Sequence, residues 1–352
     1  MNNNRFSASF FVPLQSIQKI DKVMNRKKFL TAVLTAVFTV STLLTHASQA
    51  ITPLWLRDVQ VSPDGSQVLF CYKGDIYKVS TNGGTAVQLT TQDSYECSPV
   101  WSVDGKQIAF SSDRHGNLDI FVMSAEGGSA TRLTYHSAPE VPQAFTPDGK
   151  WVMFGAQIQD PATSVMFPSG RLTELYKVPV KGGRTLQVLG TPVEMLSFAS
   201  DGKSFFYQDR KGGEDEWRKH HTSSITRDIW YYDAQSGQHT NITDRPGEDR
   251  NPVVSADGKT LYYLSEDEGG NMNVYSCQWQ GIKAPSPKPP ICMRNVTSFE
   301  THPVRFLSIA KNGLLCYTYN GEIYTQKSGA QPQKLNITLT VGSPGTELEF
   351  AL

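Results

Sequence analysis

The chain has 352 residues, in which 33 Lys+Arg balance 33 Asp+Glu for a formal net charge of +0. That balance removes the electrostatic basis for a nucleic-acid or anionic-membrane partner. Aromatics at 11%, with 28 Gly and 20 Pro, describe a β-rich, turn-rich protein with ample core-forming side chains.

The first fifty residues read as a targeting device. Arg26, Lys27 and Lys28 form a basic cluster, and Phe29 to Leu44 is apolar apart from Thr and Ser. Ser48-Gln49-Ala50 then places small residues at the two positions a signal peptidase reads. The stretch is short and weak for a permanent membrane span. Residues 1–50 are therefore expected to be an upstream extension and secretory signal, with translation starting at Met24. The mature protein is expected to begin at Ile51 and to be periplasmic or secreted, with no membrane attachment after cleavage. The five cysteines, Cys71, Cys97, Cys277, Cys292 and Cys316, lack metal-ligand spacing. They read as buried thiols, with a Cys277–Cys292 disulfide flanking a loop as the alternative.

From Ile51 onward one phrase recurs. Its first copy runs Ser62-Pro63-Asp64-Gly65, Val68-Leu69-Phe70, Asp75-Ile76-Tyr77, Gly83-Gly84 and Leu89-Thr90. The second carries Asp104-Gly105, Ile108-Ala109-Phe110, Asp119-Ile120-Phe121, Gly127-Gly128 and Leu133-Thr134. Four further copies follow, the last of them worn. Their Asp/Asn-Gly anchors fall at 64, 104, 148, 201, 257 and 312, so successive steps are 40, 44, 53, 56 and 55. Pro presets φ, Asp bonds neighbouring backbone and Gly takes the conformation a side chain resists, so each anchor is a tight turn between two strands. The Gly-Gly pair turns a third strand into a fourth that ends in Leu-Thr. Four antiparallel strands per unit make a propeller blade, and a blade cannot bury both faces without neighbours. The expected fold is all-β: a six-bladed β-propeller over residues 51–341. Two strand-like segments, Thr52 to Val61 and Lys334 to Val341, are expected to meet where the ring closes.

Two insertions interrupt the period, Gln157 to Leu172 in the third copy and residues 214–227 in the fourth. Met166 and Phe167 offer an apolar contact in the first. In the second, Arg218, Lys219, His220, His221 and Arg227 are candidate residues for gating a channel or gripping a peptide carboxylate. Adjacent His220 and His221 diverge in either regular backbone, so they make poor joint metal ligands. Asp113-Arg114 and Asp209-Arg210 follow the second strands of blades two and four and read as braces between blades. Asn241-Ile242-Thr243, Asn295-Val296-Thr297 and Asn336-Ile337-Thr338 match a glycosylation pattern but read more simply as the Leu-Thr phrase. No nucleophile elbow, metalloprotease helix, phosphate loop or dinucleotide fingerprint occurs. No catalytic residue, metal or cofactor is therefore assigned.

The repeats, together with Glu214-Asp215-Glu216-Trp217-Arg218-Lys219-His220-His221-Thr222 leading into Asp228-Ile229-Trp230, resemble the N-terminal six-bladed propeller of the tricorn protease family. The generic phrases also occur in TolB and in dipeptidyl-peptidase-like propellers. The tricorn resemblance covers essentially all of Ile51 to Leu352, and Leu348 to Leu352 is similar to the start of a linker into a second propeller, which implies that residues 342–352 are a linker toward a second domain. It implies a propeller that gates peptides toward a serine-peptidase domain lying outside this sequence, and none of the family's catalytic residues has a matching position here. The expected partners are a peptide or protein ligand, a peptidase domain or further copies of the chain. A stand-alone periplasmic scaffold of the TolB kind, using one propeller face to dock a partner, is the alternative.

Overall fold

The recurring turn is a side-chain clasp. Asp64 accepts hydrogen bonds from Ser62 Oγ at 2.5 Å and from the Ser66 amide at 3.0 Å, while Gly65 turns at φ +78°. The same clasp joins Ser102 to Asp104, Thr146 to Asp148 and Ser255 to Asp257. Each hydroxyl stabilises the ionised carboxylate and holds that Asp below the ordinary carboxylate range. Turn geometry is thus fixed locally, whatever the packing behind it.

The computed structural model describes residues 49–158, 172–213, 223–266, 270–281 and 294–341, and strands are the only regular elements among them. After a short strand β1 (Gln49–Ile51), the first blade is β2 (Arg57–Val61), β3 (Gln67–Tyr72), β4 (Asp75–Ser80) and β5 (Gly84–Gln88). The second is β6 (Glu96–Trp101), β7 (Gln107–Ser112), β8 (Asp119–Ser124) and β9 (Thr131–Arg132). The third is β10 (Val141–Phe145), β11 (Trp151–Ala156), β12 (Glu174–Pro179) and β13 (Leu186–Leu189). The fourth is β14 (Glu194–Phe198), β15 (Phe205–Gln208), β16 (Ile229–Asp233) and β17 (Gln238–Asn241). The fifth is β18 (Asp249–Val254), β19 (Thr260–Glu266), β20 (Met272–Gln278) and β21 (Arg294–Asn295). The sixth is β22 (Arg305–Ile309), β23 (Leu315–Tyr319), β24 (Glu322–Gln326) and β25 (Gln333–Lys334). Each blade is an antiparallel meander, and the inner strands β2, β6, β10, β14, β18 and β22 neighbour one another in a closed ring. The expected six-bladed all-β propeller is the observed fold.

The core lies between blades, not within them. Among the described residues six apolar clusters occur, one at each junction of neighbouring blades. Successive side chains on a strand face opposite ways, so Val68 and Phe70 pack toward the sixth blade while Leu69 and Cys71 pack toward the second. This is why the second strands read as unbroken apolar runs. The third residue of each run is a fully buried aromatic: Phe70, Phe110, Phe154, Tyr207, Tyr263 and Tyr317. Each contributes roughly 2–3 kcal/mol of hydrophobic burial. The thiols of Cys71, Cys97, Cys277 and Cys316 are buried in the same layers, and Cys292 lies outside the described residues.

The Leu-Thr phrase has a specific task. Thr90, Thr134, Thr243 and Thr297 each accept, through Oγ1, the amide at the start of their own blade's third strand, from Ile76, Ile120, Ile229 and Val274 at 2.8–2.9 Å. Thr90 and Thr297 donate in turn to Asp75 and Asn273, the first members of the Asp-Ile and Asn-Val pairs. Two phrases far apart in sequence are therefore halves of one bond network. Asn336-Ile337-Thr338 departs from this reading: Asn336 is exposed, and Thr338 stands in the last strand, β26 (Ile337–Val341), with its hydroxyl 3.2 Å from Thr85.

Ring closure also differs from expectation. Residues Ile337–Leu339 pair in parallel with Gly84–Ala86, along the outer edge of the first blade, whereas Arg57–Val61 is that blade's innermost strand. The two segments thus do not pair with each other. The ring closes by packing and by a bond found at other junctions. The amide two residues before the inner-strand irregularity donates to the carbonyl just before the neighbouring blade's third-strand pair. It appears as Glu96 to Gly74, Glu140 to Leu118, Asp249 to Arg227, Val304 to Met272 and, across the closure, Leu56 to Gly321, at 2.7–3.0 Å. Val61 N to Ser308 Oγ at 3.0 Å and Lys311 N to Pro63 O at 2.9 Å add to the closing junction.

Candidate functional site

The inner strands meet around the axis, and there the ladder is irregular. Bulges fall at Arg57/Gln60, Cys97/Val100, Glu194/Ser197, Arg250/Val253 and Arg305/Ser308. At each, one non-glycine residue adopts positive φ: Asp58 (50°), Ser98 (52°), Met195 (51°), Asn251 (52°) and Phe306 (56°). Such a conformation costs about 1–2 kcal/mol per residue. It turns the amide toward the neighbouring blade. Ser98 N donates to Asp58 Oδ2 at 3.0 Å, Met195 N to Gln143 Oε1 at 2.6 Å and Asn251 N to Gln208 Oε1 at 2.9 Å. Asn251 also exchanges two bonds with the Leu307 backbone, at 2.8 and 2.9 Å. These bonds offset the strain and fix the residues around the axis.

The residue just before the bulge is arginine in three consecutive blades, Arg250, Arg305 and Arg57. Two clefts open beside them. One is lined by Arg250, Arg305, Phe306, Asn271 and Met195, the other by Trp55, Arg57, His302, Arg305, Phe306 and Asn320. The second cleft, about 340 Å³, is lined by no carboxylate. Trp55 is 74% exposed at its edge and holds a positive φ of 63°, its backbone lying so close to Gly321 that a Cβ there would come within 2.9 Å of Trp55 N. On this rim the links between second and third strands shrink to Lys73-Gly74 and Asn320-Gly321, two-residue turns with positive φ at both positions. The cleft beside blades six and one is thus bounded by the short Asn320-Gly321 turn. The sequence reading missed these arginines, although a signal existed. Arg57, Arg250 and Arg305 each stand seven residues before a turn anchor, at 64, 257 and 312.

Of the candidates named from sequence, Met166 and Phe167 lie within 159–171, and Arg218, Lys219, His220 and His221 within 214–222, both outside the described residues. Both spans link a second to a third strand, so their flanking residues stand on the same rim as the arginines. Arg227 is described and is buried. Its Nη1 lies 3.0 Å from Glu248 Oε1 in the fifth blade and its Nε 3.5 Å from Glu194 Oε2 in its own. Lys211, at the other foot of the insertion, bonds Asp228 at 2.6 Å. The braces expected between blades act inside them instead. Arg114 pairs with Glu96 at 3.1 Å and Arg210 with Glu194 at 2.9 Å, each tying the end of a second strand to the first residue of the adjacent inner strand. Antiparallel pairing brings those two ends of the chain side by side, so in-blade contact is the shorter reach. No group of three or more His, Cys, Asp or Glu suited to a metal occurs among the described residues.

Residues 53–332 match the family model described as the tricorn protease N-terminal beta propeller domain. A dipeptidyl-peptidase 5 from Porphyromonas gingivalis is 28% identical over 262 residues, 61% of this chain and 38% of that protein. The chain thus spans about two fifths of the length of that curated relative. Among solved structures, the tricorn protease superposes with a TM-score of 0.65 at 20% identity, over 80% of this chain and 26% of that one. A putative TolB from Agrobacterium tumefaciens gives 0.53 at 17%, over 72% of this chain and 89% of that one. At such identities the structural likenesses speak for the fold alone.

Proposed function

This chain belongs to the tricorn protease N-terminal β-propeller family, and from that premise we propose that it is a peptide-handling propeller that gates or channels peptides for a serine peptidase, with hydrolysis performed elsewhere. The observation carrying this reading is the family match together with a closed ring of inner strands whose bulged residues are held by blade-to-blade bonds around one axis. A rigid ring suits selection by width and charge, because its lining cannot relax around a poor ligand. The insertions bearing Met166, Phe167, Arg218, Lys219, His220 and His221 are assigned to contact the peptide on the arginine-bearing rim. The domain division proposed is a targeting segment over 1–50, the propeller over 51–341 and a linker over 342–352, with export to the periplasm or beyond.

The test is to incubate the chain with a mixed peptide library, measuring retention by equilibrium dialysis and cleavage by mass spectrometry. Saturable retention without cleavage is expected. Turnover that one point substitution abolishes would place a catalytic centre in this chain and overturn the reading, as would the absence of any retained peptide.

A further inference from the structure

We propose that the outer edge of the third blade, from Gly183 to Gln187, is a seat for an added β-strand from another polypeptide, an extended segment in which two apolar residues flank an acidic one. The inference stands apart from the function proposed above, because this edge is the outermost of its blade and that function concerns the axis. The first blade shows how such a seat is filled. Its Gly83-Gly84 turn closes with Gly83 N donating to Ser80 O at 2.9 Å, and Gly84, at φ +112°, donates its amide to Asn336 O at 2.8 Å. Ile337, Thr338 and Leu339 then pair in parallel with Gly84, Thr85 and Ala86. Ile337 and Leu339 are buried against the first and sixth blades, and Thr338 between them places its hydroxyl 3.2 Å from that of Thr85.

The third blade repeats the turn and the register without the added strand. Gly182 N donates to Pro179 O at 2.9 Å, and Gly182 and Gly183 hold φ +80° and +137°. Tyr176↔Gln187 and Lys177↔Leu186 are the counterparts of Tyr77↔Gln88 and Lys78↔Val87. By that register Gly183, Arg184 and Thr185 stand where Gly84, Thr85 and Ala86 stand. A Cβ on Gly83 would come within 2.7 Å of Asn336 O, whereas nothing lies within 4 Å of one on Gly182. The Gly183 amide has no partner among the described residues. The outer strand starts at Gly84 in the first blade, where something pairs with it, but only at Leu186 in the third. Leu186 is 40% exposed, and β13, Leu-Gln-Val-Leu, carries no charge. The outer strands β9, β21 and β25 each carry a cation, the usual guard of a free edge, and β17 is polar throughout. An unguarded edge of this kind accepts an extended chain through main-chain bonds, with alternate side chains setting the choice of partner. Arg184, exposed in the place of Thr85, faces the middle residue of that chain and selects a carboxylate there.

The test titrates the full chain with a short fluorescent peptide, blocked at both ends, with Ile-Glu-Leu at its centre. Two further versions carry N-methyl groups on alternate amides, one along each edge of the extended peptide, and a fourth has lysine for the glutamate. A strand pairs through one edge, so one methylated peptide should bind on the order of tenfold more weakly and the other like the parent. Saturating peptide should slow hydrogen exchange at 183–187. Leu186→Lys should weaken binding on the order of tenfold, Arg184→Glu should reverse the preference for glutamate over lysine, and Thr240→Lys, on the β17 edge, should change nothing. Equal binding of both methylated peptides, slowed exchange elsewhere in the ring, or parental affinity in Leu186→Lys overturns the seat. An unchanged preference in Arg184→Glu overturns the acidic partner. Exchange already slow at 183–187 in the free chain means that the edge is filled, by the chain itself if it is a monomer and by a second copy if it is a dimer, and either overturns the proposal. Retention of library peptides by Leu186→Lys would show peptide handling at the axis to be a separate property.

Discussion

Arg227 of the fourth blade and Glu248 of the fifth face each other at 3.0 Å with both side chains withdrawn from solvent. Breaking a buried pair from one side strands the other charge, at a cost of about 3–5 kcal/mol. Arg227→Ala is therefore expected to lower unfolding stability by roughly 3 kcal/mol in a urea titration, and Arg227→Lys by less. A variant of unchanged stability but weakened peptide binding would move Arg227 from brace to ligand contact.

The Thr243 hydroxyl accepts the Ile229 amide at 2.9 Å inside the fourth blade. Thr243→Val keeps the volume and removes the acceptor, leaving a buried amide unsatisfied, so a loss of about 1–3 kcal/mol is expected. Thr134→Val should behave alike in the second blade, because its bond to Ile120 is the same at 2.8 Å. If both variants melt with the parent chain, the Leu-Thr phrase has no such task.

Asn251 joins blades five and six through both of its side-chain bonds to Leu307 and carries a φ of 52°. Asn251→Ala loses the bonds and keeps the backbone cost, and should destabilise by about 3 kcal/mol. Asn251→Gly loses the same bonds but relieves the backbone, so it should be the milder change. Equal losses, measured by thermal denaturation, would contradict the assigned strain.

Glu140, at the junction of blades two and three, is pushed up to about 7 by burial, with the Asp119 charge adding to the rise and Thr134 and Arg132 opposing it. A carboxyl whose folded pKa exceeds its unfolded value holds its proton more tightly when folded. Its contribution is complete below about 4.5 and is lost as pH rises to about 7. Stability should therefore fall by roughly 2–3 kcal/mol across that window. Glu140→Gln should flatten this part of the profile, leaving the smaller slope expected from Asp249, which burial raises to about 6. A Glu140→Gln profile with the parent's slope would sink the assignment.

Whatever depends on chemistry within a few residues was legible from the amino acids. The Ser62–Asp64 clasp, the Gly83-Gly84 turn and the apolar run Val68-Leu69-Phe70 each announce their geometry locally, and the recurrence of such phrases dictates the ring. Features imposed by the ring itself were not legible. Asp58, Ser98, Met195, Asn251 and Phe306 share one backbone conformation without sharing side-chain chemistry, because the bulge answers to the crowding of strands at the axis. Arg114, expected to brace between blades, bonds within its own, since Glu96 lies 18 residues upstream and only the pairing of β6 with β7 brings it close. Ile337–Leu339 showed a clear strand pattern, but an alternating pattern does not name the edge it will join.

Every four-stranded sheet in this ring is drawn from one uninterrupted stretch of chain, and the junction that closes the circle carries the same amide-to-carbonyl link as its neighbours. The strand that reaches back from the far end of the chain, β26, joins the outer edge of the first blade and not the inner strands where blades meet. A whole unit can be duplicated or deleted without rethreading the others, so changes in circumference, and with it the bore, lie open to simple genetic events.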